Sequence, residues 1–62
     1  MAAITLAYAS EVTKVPYGTL RYWASHHRWP VHDQDKQGRN LYEARLIAAH
    51  AEAWLARREA AA

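Results

Sequence analysis

The side chains able to do chemistry in this chain gather in its first two thirds, where Lys14, Arg21, Arg28, Lys36 and Arg39 are interleaved with Tyr17, Tyr22, Trp23 and Trp29. Cations set among aromatic rings and hydroxyls suit a nucleic acid, because guanidinium and ammonium groups meet phosphates while planar and hydroxylated side chains meet base edges. Carboxylates in the same region are few, namely Glu11, Asp33 and Asp35. The net charge is only +2 and the sequence pI near 9.3, so the arrangement of charge says more than its sum.

Other chemistries find few tools. There are four histidines, but His26 and His27 are neighbours that diverge by about 100° on a helix, and His50 lies on another element with no carboxylate at ligand spacing. No metal and no cofactor is expected. His26, His27 or His32 fit better on a DNA-facing side, where protonation below about pH 6.5 would add positive charge. Cysteine is absent, and Ser10 and Ser25 have no histidine and acid in a nucleophile motif. There is also no glycine-rich phosphate loop, and a chain of 62 residues cannot enclose a substrate pocket. An enzyme is not expected.

The same length gives one domain, 1–62, with room for a single small core. Arg45, His50, Glu52 and Arg57 interrupt the alanine-rich stretches, so no run is apolar enough to span a membrane. Met1-Ala2-Ala3-Ile4 lacks the regions of a signal peptide, and a cytoplasmic location without membrane contact is the expectation.

These residues need elements to hold them. Thr5 is an N-cap candidate, and Leu6, Ala9 and Val12 recur on one face, which predicts helix 1 over about 5–13. Pro16 disfavours an α conformation at Val15 and suits a first helical turn, which predicts helix 2 over about 16–27. Within it Leu20, Trp23 and Ala24 share the inner side, leaving Tyr17, Gly18, Arg21, Tyr22 and Ser25 on the outer arc. Two short helices and a tight turn suggest a helix-turn-helix. Trp29-Pro30 closes helix 2, and about 30–42 reads as a hairpin whose Val31, Leu41 or Tyr42 must pack on the helices to hold it, with Trp29 over its base. Helix 3 follows over about 43–60, with Ile47, Ala51, Trp54 and Leu55 on one stripe. Leu6, Val12, Leu20, Trp23 and Ile47 are the expected core. The fold class is therefore mainly α with a small β-hairpin.

Leu6-Ala7 through Val15-Pro16 to Thr19-Leu20-Arg21-Tyr22-Trp23, then Pro30 and Gly38-Arg39-Asn40-Leu41-Tyr42, resembles the MerR-like winged helix-turn-helix family, especially its small phage excisionase branch. The resemblance implies that helix 2 enters the major groove and that the hairpin, as a wing, reaches the backbone or the adjacent minor groove. It implies DNA contacts from Tyr17, Thr19, Arg21, Tyr22 and Arg39. Lys14 stands where glycine is usual in the inter-helix turn, adding a phosphate contact, and Gly18 stands where a basic or polar reader is common. With their neighbours on the same face and at the wing tip, the candidate DNA-binding residues are Lys14, Tyr17, Gly18, Thr19, Arg21, Tyr22, Ser25, Arg28, Lys36 and Arg39.

Ile47, Trp54 and Ala61 recur at seven, but with Arg58 intruding they make no sustained dimer seam. The function expected from the resemblance is binding of double-stranded DNA by an architectural factor that steers a site-specific recombinase towards excision, with head-to-tail self-association on the duplex. A small transcriptional regulator is the runner-up. A protein-binding adaptor anchored by Tyr17, Tyr22 and Trp54 is the reading from a different class.

Overall fold

A computed structural model of the chain describes residues 2–61. Thr5 has extended backbone and its hydroxyl accepts from the Tyr8 N–H at 3.1 Å, which caps the first helix, α1 (Leu6–Thr13). The inner stripe of α1 is Leu6, Ala9, Ser10 and Thr13, with Ala9 fully buried. The stripe expected from sequence is corrected at its end, because Val12 is 56% exposed.

Two hydroxyls explain the change. Thr13 Oγ1 donates to the Ala9 carbonyl at 2.7 Å and accepts from the Val15 N–H at 3.3 Å, while Ser10 Oγ donates to the Val15 carbonyl at 2.7 Å. Polar side chains satisfied this way sit inside without cost, and they draw Val15 to 0% exposure. Between them Lys14 takes the left-handed conformation, φ 67° and ψ 8°, and its N–H bonds the Ser10 carbonyl at 3.0 Å. That is the usual place for a glycine at a helix C-terminus.

Pro16 then offers its carbonyl to the Thr19 and Leu20 amides and opens α2 (Tyr17–His26). The helix stops in a Schellman arrangement: the Trp29 N–H bonds the Ala24 carbonyl at 3.0 Å, the Arg28 N–H bonds that of Ser25 at 3.3 Å, and Arg28 has φ 52°. The hydrophobic contact that accompanies this cap is made by Trp29 against Trp23, ring centroids 6.2 Å apart.

The sheet has three antiparallel strands, β1 (Ala3–Ile4), β2 (Asp33–Gln34) and β3 (Asn40–Glu43), in the order β1-β3-β2. In register, Ala3 faces Glu43, Ile4 faces Tyr42, Asp33 faces Leu41 and Gln34 faces Asn40. The sequence reading missed β1, since two residues carry no alternation to read. It also started the hairpin too early. Pro30 has no amide to pair, and Val31 is 48% exposed, so Tyr42 alone of the three candidates is buried and anchors the hairpin.

The third helix, α3 (Ala44–Ala61), starts after Glu43 because that residue is held by Ala3. The core is Ala9, Val15, Leu20, Trp29, Tyr42, Ile47 and Ala51. Leu6, Trp23 and Trp54 pack half-buried against it, and Leu55 is 38% exposed, so the apolar stripe of α3 is narrower than expected. Among the described residues no helix is long and apolar enough to cross a membrane.

Candidate nucleic-acid interface

No carboxylate occurs between Glu11 and Asp33, a span that contains the inter-helix turn and all of α2. With Leu20 buried and Trp23 and Ala24 turned inward, α2 shows solvent Tyr17 and Tyr22, 49% and 59% exposed, together with Gly18, Arg21, Ser25 and His26. Thr19 is half-buried and contributes less than its neighbours. The Arg21 guanidinium lies 5.9 Å from the centroid of the Tyr17 ring, and among the described residues it has no ion-pair partner. Tyr22 stacks on His26 with centroids 5.0 Å apart and planes 12° apart. The exposed face of α2 is thus a cation flanked by a stacked aromatic pair.

Of the histidines expected on this face, His26 is there, His27 packs edge-on beside it with ring centroids 5.1 Å apart and reaches towards α3, and His32 lies exposed before β2. The His27 ring lies 5.2 Å from that of His50 on α3. The His50 Nδ1 lies 3.1 Å from the Leu46 carbonyl, to which it donates when protonated, and its ring packs edge-on against Trp29 at 5.0 Å. The described residues contain no group of three or more metal-ligating side chains. Trp29 is held between His50 and Tyr42, and its indole N–H has no hydrogen-bond acceptor among the described residues.

The hairpin loop is built around one carboxylate. Asp35 accepts from the Gln37 and Arg39 amides at 2.9 Å each and from Arg39 Nε at 2.7 Å, while its own carbonyl accepts from the Gly38 N–H. Gly38 at φ 80° lets the chain double back. These donors, first of all the Arg39 amide, hold the Asp35 carboxyl below its ordinary value of 3.8, against a smaller opposing effect of burial. The Arg39 guanidinium is aimed by this pair through Nε alone, which leaves its terminal nitrogens available. Lys36 sits exposed at the tip without an ion-pair partner among the described residues. Neither nearby carboxylate pairs with it: Asp35 is taken up by Arg39, and Asp33 accepts from the Gln34 N–H at 2.8 Å.

Between the first turn of α1, α2 and β3 lies an open cleft of about 400 Å³. Tyr17, Arg21 and Ser25 enter it from α2, Arg39 and Asn40 from the hairpin, and Thr5 from the α1 cap. Four candidates from the sequence therefore meet in one place. Lys14, Gly18, Thr19, Tyr22, Arg28 and Lys36 lie outside it, Lys14 and Arg28 at the two ends of α2. Asn40 and Thr5 were missed as site residues. Thr5 reads only as a cap, and nothing in a linear pattern brings it beside Arg39.

Comparison of the chain with protein-family models, with curated proteins and with solved structures gives no match.

Proposed function

We propose that this chain is a DNA-binding domain of the winged helix-turn-helix kind, with α2 as the helix that enters the major groove and the β2–β3 hairpin as its wing. The observation that carries the reading is the carboxylate-free outer face of α2, on which Tyr17, Arg21, Tyr22 and Ser25 stand beside a hairpin that ends in Lys36 and Arg39. A solvated helix face mixes both signs of charge, and this one does not.

Two backbone positions add support. Lys14 and Arg28 are the non-glycine residues with positive φ, 67° and 52°, and they bracket α2. Each costs about 1–2 kcal/mol relative to glycine in that conformation. These cations stand at the two ends of α2, where phosphates flanking a groove would meet them.

The biological role follows the resemblance of the sequence to MerR-like excisionases: an architectural factor that binds beside a recombination site and directs a site-specific recombinase. A small transcriptional regulator would use the same surface. Of the adaptor's anchors, Tyr17 and Tyr22 are exposed while Trp54 packs against the core; Tyr8 and Val12, 54% and 56% exposed one turn apart on α1, add an apolar face that serves equally for contact with a recombinase or a second copy on DNA.

Selection of binding duplexes from a random library, followed by gel shifts at increasing salt, tests the reading. The expected result is an enriched sequence bound with an affinity that falls linearly in log salt. Absence of any duplex binding at low salt would leave the adaptor.

A further inference from the structure

We infer that the cleft between α1, α2 and β3 is a phosphate site, and that Arg21 and Arg39 clamp one backbone phosphodiester there instead of reading bases. The inference rests on the DNA-binding reading and says where one strand lies. Its ligand chemistry is a phosphate group, and the source to which we commit is the backbone.

The polar part of the cleft lining is cationic and hydroxylic. Arg21 comes from α2 and Arg39 from the hairpin, and the Tyr17 and Ser25 hydroxyls line the same space with Asn40, whose Oδ1 accepts from Gln34 Nε2 at 3.1 Å. None of the residues lining the cleft is a carboxylate. Each arginine is partly oriented in advance, Arg21 over the Tyr17 ring at 5.9 Å and Arg39 by the Asp35 carboxylate at 2.7 Å on Nε. The Nη groups of Arg39 are thus free to bind an anion in the fork geometry that favours phosphate.

Groove geometry points the same way. A helix in the major groove and a wing in the adjacent minor groove must straddle the sugar-phosphate ridge that separates them. The cleft runs between those two elements. At about 400 Å³ it is larger than a bare ion needs and open enough for the sugars on either side. Base reading then falls to the part of α2 outside the cleft, to Tyr22 with its stacked His26.

The test uses the selected duplex with a neutral methylphosphonate placed at one position at a time. We expect one phosphate whose neutralisation weakens binding by about tenfold, the loss of one charge-assisted hydrogen bond. Arg21→Gln and Arg39→Gln should each lose as much on the unmodified duplex, on selected and random sequence alike. Each should feel neutralisation of that same phosphate less than the wild type does, because the other arginine still holds it, the double variant should be indifferent to it, and each single change should lower the salt slope by about one. Inorganic phosphate followed by nuclear magnetic resonance gives the second arm: shifts at Arg21, Ser25 and Arg39 that the duplex displaces support the site. Variants that feel every methylphosphonate as the wild type does, an Arg21→Gln loss confined to the selected sequence, or phosphate bound undisplaced by duplex would each overturn it. A wild-type chain that bound no duplex would fail the DNA-binding reading instead.

Discussion

Lys14 presents a conflict within a single residue. Its backbone occupies a conformation that glycine adopts freely, while its side chain adds a cation at the mouth of α2. Lys14→Gly should therefore raise stability by about 0.5–1 kcal/mol, the relief of left-handed strain less the extra entropy of an unfolded glycine. It should at the same time lower the salt slope of DNA binding by about one. A thermal melt and a salt series on the same protein check both halves, and a destabilised variant would mean that the lysine stem packs in a way its exposure does not suggest.

Asp35 gives a pH prediction at the same scale. Its carboxyl is held below 3.8 by the amides of Arg39 and Gln37 and by the Arg39 side chain. A depressed folded value means that ionised Asp35 favours the ordered loop above the ordinary value, and that this preference disappears as pH falls through the lower one. Amide resonances of Gln37 and Arg39 should be steady from neutral pH down to about 4 and move together below it. Movement centred on the histidine range would place the control elsewhere.

Among the elements, the inter-helix turn and the hairpin base carry most of the design. Trp29 closes α2, covers Tyr42 and touches His50, and it is 6% exposed. Trp29→Ala should cost about 3–5 kcal/mol, close to the whole stability of so small a domain. Val12→Ala, on an exposed position, should stay within about 0.5 kcal/mol. Chemical denaturation of the two variants tests the assignment of core and surface, and reversed magnitudes would show that α1 is rotated from the register described.

The same elements show what a linear reading can hold. The first two helices were legible because Thr5, Pro16 and Trp29-Pro30 are local signals that act on their own neighbours, and the third because Ile47, Ala51 and Trp54 recur at helical spacing. The inner face of α1 was not, because Ser10 and Thr13 become core-facing only once their hydroxyls meet Ala9 and Val15 across the turn. Apolar periodicity counts Val12 and overlooks both. Arg21 and Arg39 could be named as candidates for anion binding from their types. Their meeting across one cleft depends on the packing of β3 beside α2, a long-range fact with no sequence period.

At the scale of the molecule, the long dimension is 40 Å against 22 and 21 Å, and the described residues after Ala51 include no buried side chain. The outer half of α3, with Leu55 exposed and Arg58 over Trp54 at 4.7 Å, projects beyond the core. It differs in chemistry from the Tyr8 and Val12 face of α1, and under the proposed DNA-binding function a contact between copies that paired these two unlike surfaces would propagate along a duplex without closing into pairs. Free protein should sediment as a monomer and bind DNA carrying direct repeats cooperatively. A stable dimer in solution, or footprints on inverted half-sites about one helical turn apart, would favour the regulator.

The middle position of β3 sets the order in which the sheet comes apart. The Leu41 carbonyl accepts from His32 on one flank, while the Ala44 amide donates to Ala2 on the other. One flank belongs to the hairpin and the other to the chain's first strand. In deuterium oxide the backbone protons along this single strand should therefore fall into two alternating classes, exchanging at separate rates. Occupation of the cleft by DNA should slow the class on the hairpin side and leave the other unchanged.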